Sequence, residues 1–348
     1  MVRRLVLLMC GALGLLLLAE LGLRLLPVPQ GLEPQFGFGT DRPLSYEPGR
    51  ELTYSRDWDF LYARRGRANA QGYHGHCNVD TVPKQPAVWV VGDSFAEALM
   101  LDQSEATAAR LQQLRPQWSV CNLGMSGAPA SEYLAMLDAV RERQPARAWV
   151  LLMNALDIAE SRDGPPGFHY LSDGAGLVGR PRPAPGMGAR IVDHSALLRY
   201  LRYNLKAGST LPRLACTLRM SSCTGLAESD ELPLPLMQPV HFADAQRFAQ
   251  ALASRASERG VDVVVVINAP DPSRRLTQAS RERERAHRHM LEAALRSAGI
   301  GRIVDVGATF AAAPACHLQG CYLFRDRHWT ATGHALVADA VALRLGGS

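Results

Sequence analysis

From residue 87 to the C-terminus, short unbroken apolar runs alternate with stretches whose apolar residues recur at helical spacing. The apolar runs are "AVWVV" at 87–91, "SVCNL" at 119–123, "RAWVLLMN" ending at Asn154, "VDVVVVIN" at 261–268 and "RIVDV" at 302–306. The helical stretches lie near 104–114, 131–143, 242–258, 282–298 and 331–345. A strand with one wet face alternates apolar with polar residues. Strands without that alternation are buried on both faces, the signature of a parallel sheet between two helical layers. The pattern therefore predicts a three-layer α/β/α domain over 85–348. Two segments break the alternation, at 159–192 and 207–240. The first contains "GPPG" and "GRPRPAPGMGAR", which is turn and loop chemistry. Between them "VDHSALLRYLRYNLK" reads as an amphipathic helix.

The N-terminus has a different pattern. Arg3 and Arg4 precede an apolar run from Leu5 to Ala19 that continues less purely to Leu26. Glu20 and Arg24 are spaced to pair on a helix. No A-x-A cleavage site closes the run, so residues 1–26 read as an uncleaved signal anchor, a single transmembrane helix, in preference to a cleaved signal peptide. The arginine pair keeps the N-terminus cytoplasmic, which predicts an inner-membrane protein with its main domain outside the cytoplasm. Residues 27–84 then form a Pro- and Gly-rich linker and an N-terminal extension carrying Tyr54, Trp58, Phe60 and Tyr62.

Composition changes this picture little. The chain has 348 residues, 47% hydrophobic and 20% charged, with a net charge of +5. The densest charge run, Arg281 to Arg296, mixes both signs and carries Met290, Leu291 and Leu295 on one face. It is a solvated helix face, and no nucleic-acid groove is indicated. Of seven cysteines, Cys10 belongs to the anchor. The even remainder, in an exported chain, favours disulfides. Local pairing predicts Cys316–Cys321 and Cys216–Cys223, which leaves Cys77 with Cys121. His74, His76 and Cys77, and likewise His287 and His289, are too few for a metal ligand set. No cofactor motif occurs.

In an open parallel sheet, ligands bind outside the carboxyl ends of the strands. Gly92-Asp93-Ser94 follows the first apolar run, "NLGMSGA" with Gly124 and Gly127 spans the end of the second, and Asn154 ends the third. "FRDRHWTATGH", with Asp326 and His328, precedes the last helix. A hydroxyl, glycine N–H groups, an amide, a carboxylate and an imidazole thus converge on one edge. Ser94 needs a base, which His328 supplies, and Asp326 would orient the imidazole. The N–H groups of Ser94 and Gly127 and the Asn154 amide suit an oxyanion hole. Gly127 is expected to be glycine so that its backbone can approach closely. Asp93 is expected to fix its turn, and His334 to be structural.

These blocks resemble the SGNH (GDSL) hydrolases. "GDSF" matches their first block, "NLGMSG" is similar to the second, "LLMNALD" to the third and "DRHWTATGH" to the fifth. "RANAQGYHG" is similar to a stretch preceding the first block in many envelope members, with His74 in place of an arginine. The resemblance spans about 66–345 and implies a flavodoxin-like serine hydrolase. In it Ser94, His328 and an acidic residue form the triad, and Ser94, Gly127 and Asn154 form the oxyanion hole. Two departures stand out. Asp157 comes three residues after Asn154, where many members have it directly after. The fifth block reads D-x-H, with Arg325 at the more usual acidic position. The implied activity is hydrolysis of acyl esters, acetyl groups on envelope or extracellular glycans foremost. An O-acyltransferase using the same residues, and an inactive scaffold, are the alternatives.

Overall fold

The valine-rich runs do form the centre of the protein. A computed structural model describes residues 2–37, 42–77, 87–140, 146–163, 167–172, 176–181, 186–207, 236–273 and 276–346. The chain divides into two compact units: Met1–Leu32, Glu51–Arg65 and Pro183–Ala227 make the first, and the remainder makes the second.

The second unit holds a sheet of strands β1 (Ala87–Gly92), β2 (Ser119–Asn122), β3 (Ala146–Met153), β4 (Asp262–Ile267) and β5 (Ile303–Asp305). Their spatial order is β2-β1-β3-β4-β5, and every pairing is parallel. This is the flavodoxin-like order, whose switch point lies between β1 and β3. Alternate residues Val88, Val90, Val150, Leu152, Val264 and Val266 join a buried cluster with Leu111, Val337, Val341 and Leu345. Those four come from the helices Thr107–Leu114 and Ala331–Gly346 on one face. On the other face Trp89, Val91, Trp149 and Leu151 are equally buried, and the Arg259 guanidinium lies 5.1 Å over the Trp149 ring. The helices Ala130–Ala139, Pro239–Arg259 and Gln278–Ser297 make the third layer. The period-2 burial of two apolar faces is why no polar alternation marks these strands.

Helix boundaries move where capping chemistry overrides periodicity. The helix expected from 242 starts at Pro239, because proline suits the first helical turn, where its missing N–H has no partner to lose. The helix expected from 282 starts at Gln278, where the Thr277 hydroxyl accepts from the Ser280 N–H. The segment 159–192, expected as loops, contains regular structure. It holds most of the helix Asp157–Asp163, a two-stranded antiparallel pair His169–Leu171 with Leu177–Gly179, and the start of a further helix at Met187. Of the segment 207–240, residues 208–235 lie outside the described residues, and Cys216 and Cys223 with them. Cys77–Cys121 and Cys316–Cys321 form disulfides.

In the first unit the helix Val2–Arg24 is long and apolar enough to cross a membrane, and none of its residues is buried. Glu20 bonds Arg24 at 2.8 Å, as its spacing predicts. The same carboxylate accepts hydrogen bonds from the Ser195 hydroxyl and from the N–H groups of Ala196 and Leu197. The expected amphipathic helix over 192–206 is interrupted. Ser195 ends the helix Met187–His194 and caps the next, Ala196–Arg199, by accepting from the Leu198 N–H at 3.2 Å. A serine that offers the backbone its own hydrogen bond starts a helix more readily than it continues one.

Candidate active site

Strand β1 ends on Gly92 because a side chain there would strike the β3 backbone: an added Cβ would lie 2.6 Å from the Leu152 carbonyl oxygen. Asp93 then caps the short helix Ser94–Glu97, accepting from the Phe95 N–H at 2.9 Å. The chain turns sharply, and Ser94 projects from the strand end. Its Oγ lies 2.8 Å from His328 Nε2. His328 Nδ1 lies 2.5 Å from Asp326 Oδ1. Residues far apart in sequence thus make one continuous hydrogen-bonded line.

The two-residue spacing between Asp326 and His328 is accommodated by unusual backbone. Arg325 and Arg327 both have positive φ, 60° and 75°. This left-handed conformation disfavours ordinary side chains. It turns Asp326 inward, to 3% exposure, while Arg325 faces solvent beside the Phe324 ring. The loop is closed beneath by an antiparallel bridge between Tyr322 and Trp329, and by the Leu323 N–H donating to the His328 carbonyl at 2.8 Å. Arg327 reaches sideways to Asp271, 3.1 Å away. The His328 ring rests on Phe95, with centroids 4.7 Å apart.

Ser94, Gly127 and Asn154 line one cavity of about 300 Å³ with Asp326 and His328. Among the described residues, the N–H groups of Ser94 and Gly127 have no partner. Gly127 has φ 75°, and an added Cβ would meet nothing within 4 Å. The left-handed backbone by itself calls for glycine there. The crowded glycine is Gly124, where a Cβ would lie 2.2 Å from the Glu97 nitrogen. The loop bearing Gly127 is anchored from below. Glu97, fully buried, accepts from the Ser126 N–H at 2.9 Å, from the Ser126 hydroxyl, and from Tyr46 at 2.7 Å. Burial pushes its carboxyl up from the ordinary range.

Asn154 is held on both backbone and side chain. Its N–H donates to Asp157 at 2.8 Å, and its Nδ2 donates to Asp93. The three-residue offset of Asp157 thus places a carboxylate under the turn itself. Tyr133 also donates to Asp157, whose carboxyl burial and then Asp93 raise well above the ordinary value. Burial likewise raises Asp93 to about 6, against the lowering pull of the Phe95 N–H.

Several residues here were not singled out by the sequence pattern: Glu97, Asn268 and Trp329. Asn268 had a readable signal, since "VVVVIN" ends as "VLLMN" does. Glu160 and Glu284 also line the cavity, each with its carboxyl pushed up to about 7 by burial first.

The remaining sequence candidates lie elsewhere in the network. His74 Nδ1 bonds the Glu97 carbonyl at 2.8 Å, and Cys77 is in its disulfide. Among the described residues no group of three metal-ligating side chains converges. His334 is buried, with Nδ1 2.8 Å from the Thr107 hydroxyl. Burial, then the His328 charge, lowers its pKa to about 3. It serves the packing of the last helix.

No family model and no curated protein matches the chain. Among solved structures, the chain is similar to a protein assigned to the lipolytic G-D-S-L family from Desulfitobacterium hafniense DCB-2. The identity is 11% and the TM-score 0.42, over 75% of this chain and 99% of that one. It is similar to the psychrotrophic esterase EstA from Pseudoalteromonas at 11% identity and TM-score 0.40, over 75% and 97%. It is also similar to the acetyl xylan esterase AlAXEase at 14% and 0.41, over 73% and 97%. These are distant likenesses, and the chemistry of the site rests on the distances above: by its sequence blocks and its flavodoxin-like strand order, the chain resembles the SGNH hydrolases.

Proposed function

We propose that the chain is an exported, membrane-anchored serine esterase of the SGNH kind. The observation that carries this reading is the hydrogen-bonded line from Ser94 Oγ through His328 to Asp326, 2.8 and 2.5 Å, at the wall of a small cavity. Asp326 accepts the Nδ1 proton of His328, which leaves Nε2 free to accept from Ser94. As the Ser94 oxygen attacks the ester carbonyl, its proton passes to Nε2. Negative charge develops on the former carbonyl oxygen. The N–H groups of Ser94 and Gly127, otherwise unpartnered among the described residues, and the second Asn154 amide proton stabilise it. The first Asn154 amide N–H is engaged in its hydrogen bond to Asp93. His328 then protonates the departing alcohol, leaving an acyl-Ser94, which water resolves with His328 as base again.

A cavity of about 300 Å³ suits a short acyl group, acetyl foremost. Carboxyls on its wall at Glu160 and Glu284 suit a hydroxyl-rich alcohol, such as a glycan. Arg3 and Arg4 before the apolar helix, with two disulfides beyond it, support an inner-membrane anchor and a periplasmic site.

The test uses full-length protein in detergent with p-nitrophenyl acetate and longer esters, with and without O-acetylated glycans and glycan acceptors, beside Ser94→Ala. Ser94-dependent release of acetate supports the esterase. Accumulation of acylated acceptor would replace it with an O-acyltransferase, and no Ser94-dependent turnover of any ester would leave a scaffold. Protease added to spheroplasts should digest the catalytic unit; full protection there would refute the periplasmic placement.

A further inference from the structure

Trp329 is fully buried, and its indole N–H can only donate. The partner is Asn268 Oδ1, 2.9 Å away. That single bond fixes which way the Asn268 amide faces. A flipped amide would set N–H against N–H and leave the buried indole donor without an acceptor. With its oxygen committed to Trp329, Asn268 turns its Nδ2 to Asn154, donating to Asn154 Oδ1 at 2.6 Å. Asn154 in turn has its oxygen committed and directs its Nδ2 toward Asp93 and the cavity.

The sheet makes this contact possible. Met153 on β3 pairs with Ile267 on β4, and the Asn268 N–H donates to the Met153 carbonyl at 2.8 Å, so the two asparagines leave adjacent strand ends side by side. At its other end the relay is tied to the triad. Trp329 follows His328 directly, and its ring packs on Phe95, the neighbour of Ser94, with centroids 4.9 Å apart.

We propose that Trp329 and Asn268 are positioning residues that set the polarity of the Asn154 amide, so that an N–H and not a carbonyl oxygen meets the oxyanion. The proposal rests on the esterase reading of Ser94. The chemistry explains why each link is the residue it is. The first must donate only, the second must accept on one side and donate on the other, and the third must accept from the second and donate to the developing charge. A flipped Asn154 would place a partial negative charge where the oxyanion forms.

Asn268→Asp tests the relay, because it changes one donor into a titratable group of the same shape. Ionised, the new carboxylate still accepts from Trp329 but cannot donate to Asn154. The Asn154 amide is then drawn round to donate to it. Protonated, the carboxyl donates again. In full-length protein with p-nitrophenyl acetate, kcat of Asn268→Asp at pH 8 should fall about 50-fold with KM within about 3-fold of wild type. The deficit relative to wild type should shrink as pH falls toward 5. Trp329→Phe should lower kcat by a smaller factor, with no such pH dependence. Melting temperatures provide a second arm that needs no turnover. The Asn268→Asp deficit should be largest at pH 8 and close on acidification, because an Asn154 amide turned to meet the ionised carboxylate loses its bond to Asp93 and sets its oxygen there instead. A kcat equal to wild type across the pH range, or a kcat deficit constant with pH, overturns the relay. Should wild type itself show no Ser94-dependent turnover, the esterase reading falls. The melting arm then decides the amide orientation alone: a pH-independent deficit refutes it.

Discussion

The two halves of the site are built by different means. Ser94 and Asn154 stand at the ends of β1 and β3, where Gly92 pairs with Leu152 and the register of a buried sheet sets their separation. His328 and Asp326 stand on a loop, where two left-handed arginines, a one-pair bridge and a nearby disulfide do the same work. A strand end inherits its precision from core packing that the whole domain maintains. A loop must be fixed by local constraints, some of them strained. The oxyanion side should therefore fail only when the fold or its hydrogen-bond relay fails, and the base side should be open to local damage that leaves the fold intact.

The largest expected effect lies on the loop. Asp326→Asn should lower kcat by about 10⁴-fold, because the wrong imidazole tautomer is then favoured, with melting temperature little changed. Arg325→Ala, whose side chain faces solvent, should stay within about 2-fold of wild type in the same assay. Near-normal kcat for Asp326→Asn, with His328→Ala inactive, would instead assign a Ser-His dyad. On the strand side, Asn154→Ala should cost about 10²- to 10³-fold in kcat.

The disulfides sharpen the same contrast through stability. Cys77–Cys121 closes a separation of 44 residues, so the paired Cys→Ser variant should lose about 4 kcal/mol in denaturant unfolding. Cys316–Cys321 closes a separation of 5, so its loss should cost about 2 kcal/mol. The order should reverse in kcat, because the short bridge braces the base loop. If the long bridge affects kcat more, the loop is held by its backbone bonds alone.

The smallest effect concerns Glu160. Its folded pKa of about 7 lies above the ordinary 4.5, so between those values the folded state holds a proton that the unfolded chain has lost. Stability therefore falls as pH rises through that window. Glu160→Gln should remove the loss. Since the group is only half-buried, solvent screening leaves a gain of about 1 kcal/mol at pH 8, and almost none at pH 4.5. Melting curves at the two pH values check this; an equal difference at both would show that the carboxyl is not held protonated.

The sequence alone determined the elements whose signal is local and repeated. Five apolar runs are strands because burial on both faces removes the alternation of polar with apolar positions. Ser94 and Asn154 were legible because each follows such a run, where a polar residue interrupts an apolar pattern, and Asp326 and His328 because they stand in a polar block just before the last helix. Tertiary structure decided everything that depends on residues meeting from a distance. Glu97 holds the Gly127 loop from 29 residues away, and Asn268 meets Asn154 across 114, so neither spacing has a period to read. The two-residue spacing of Asp326 and His328 works only through the positive φ at Arg325 and Arg327, a conformation these side chains would not choose by themselves. Gly127 was legible as a glycine, and the folded backbone adds its left-handed turn, which no spacing announces. Local preference selects which segments become strands and helices; the sheet's register and the burial of its polar partners then select which side chains share a hydrogen bond.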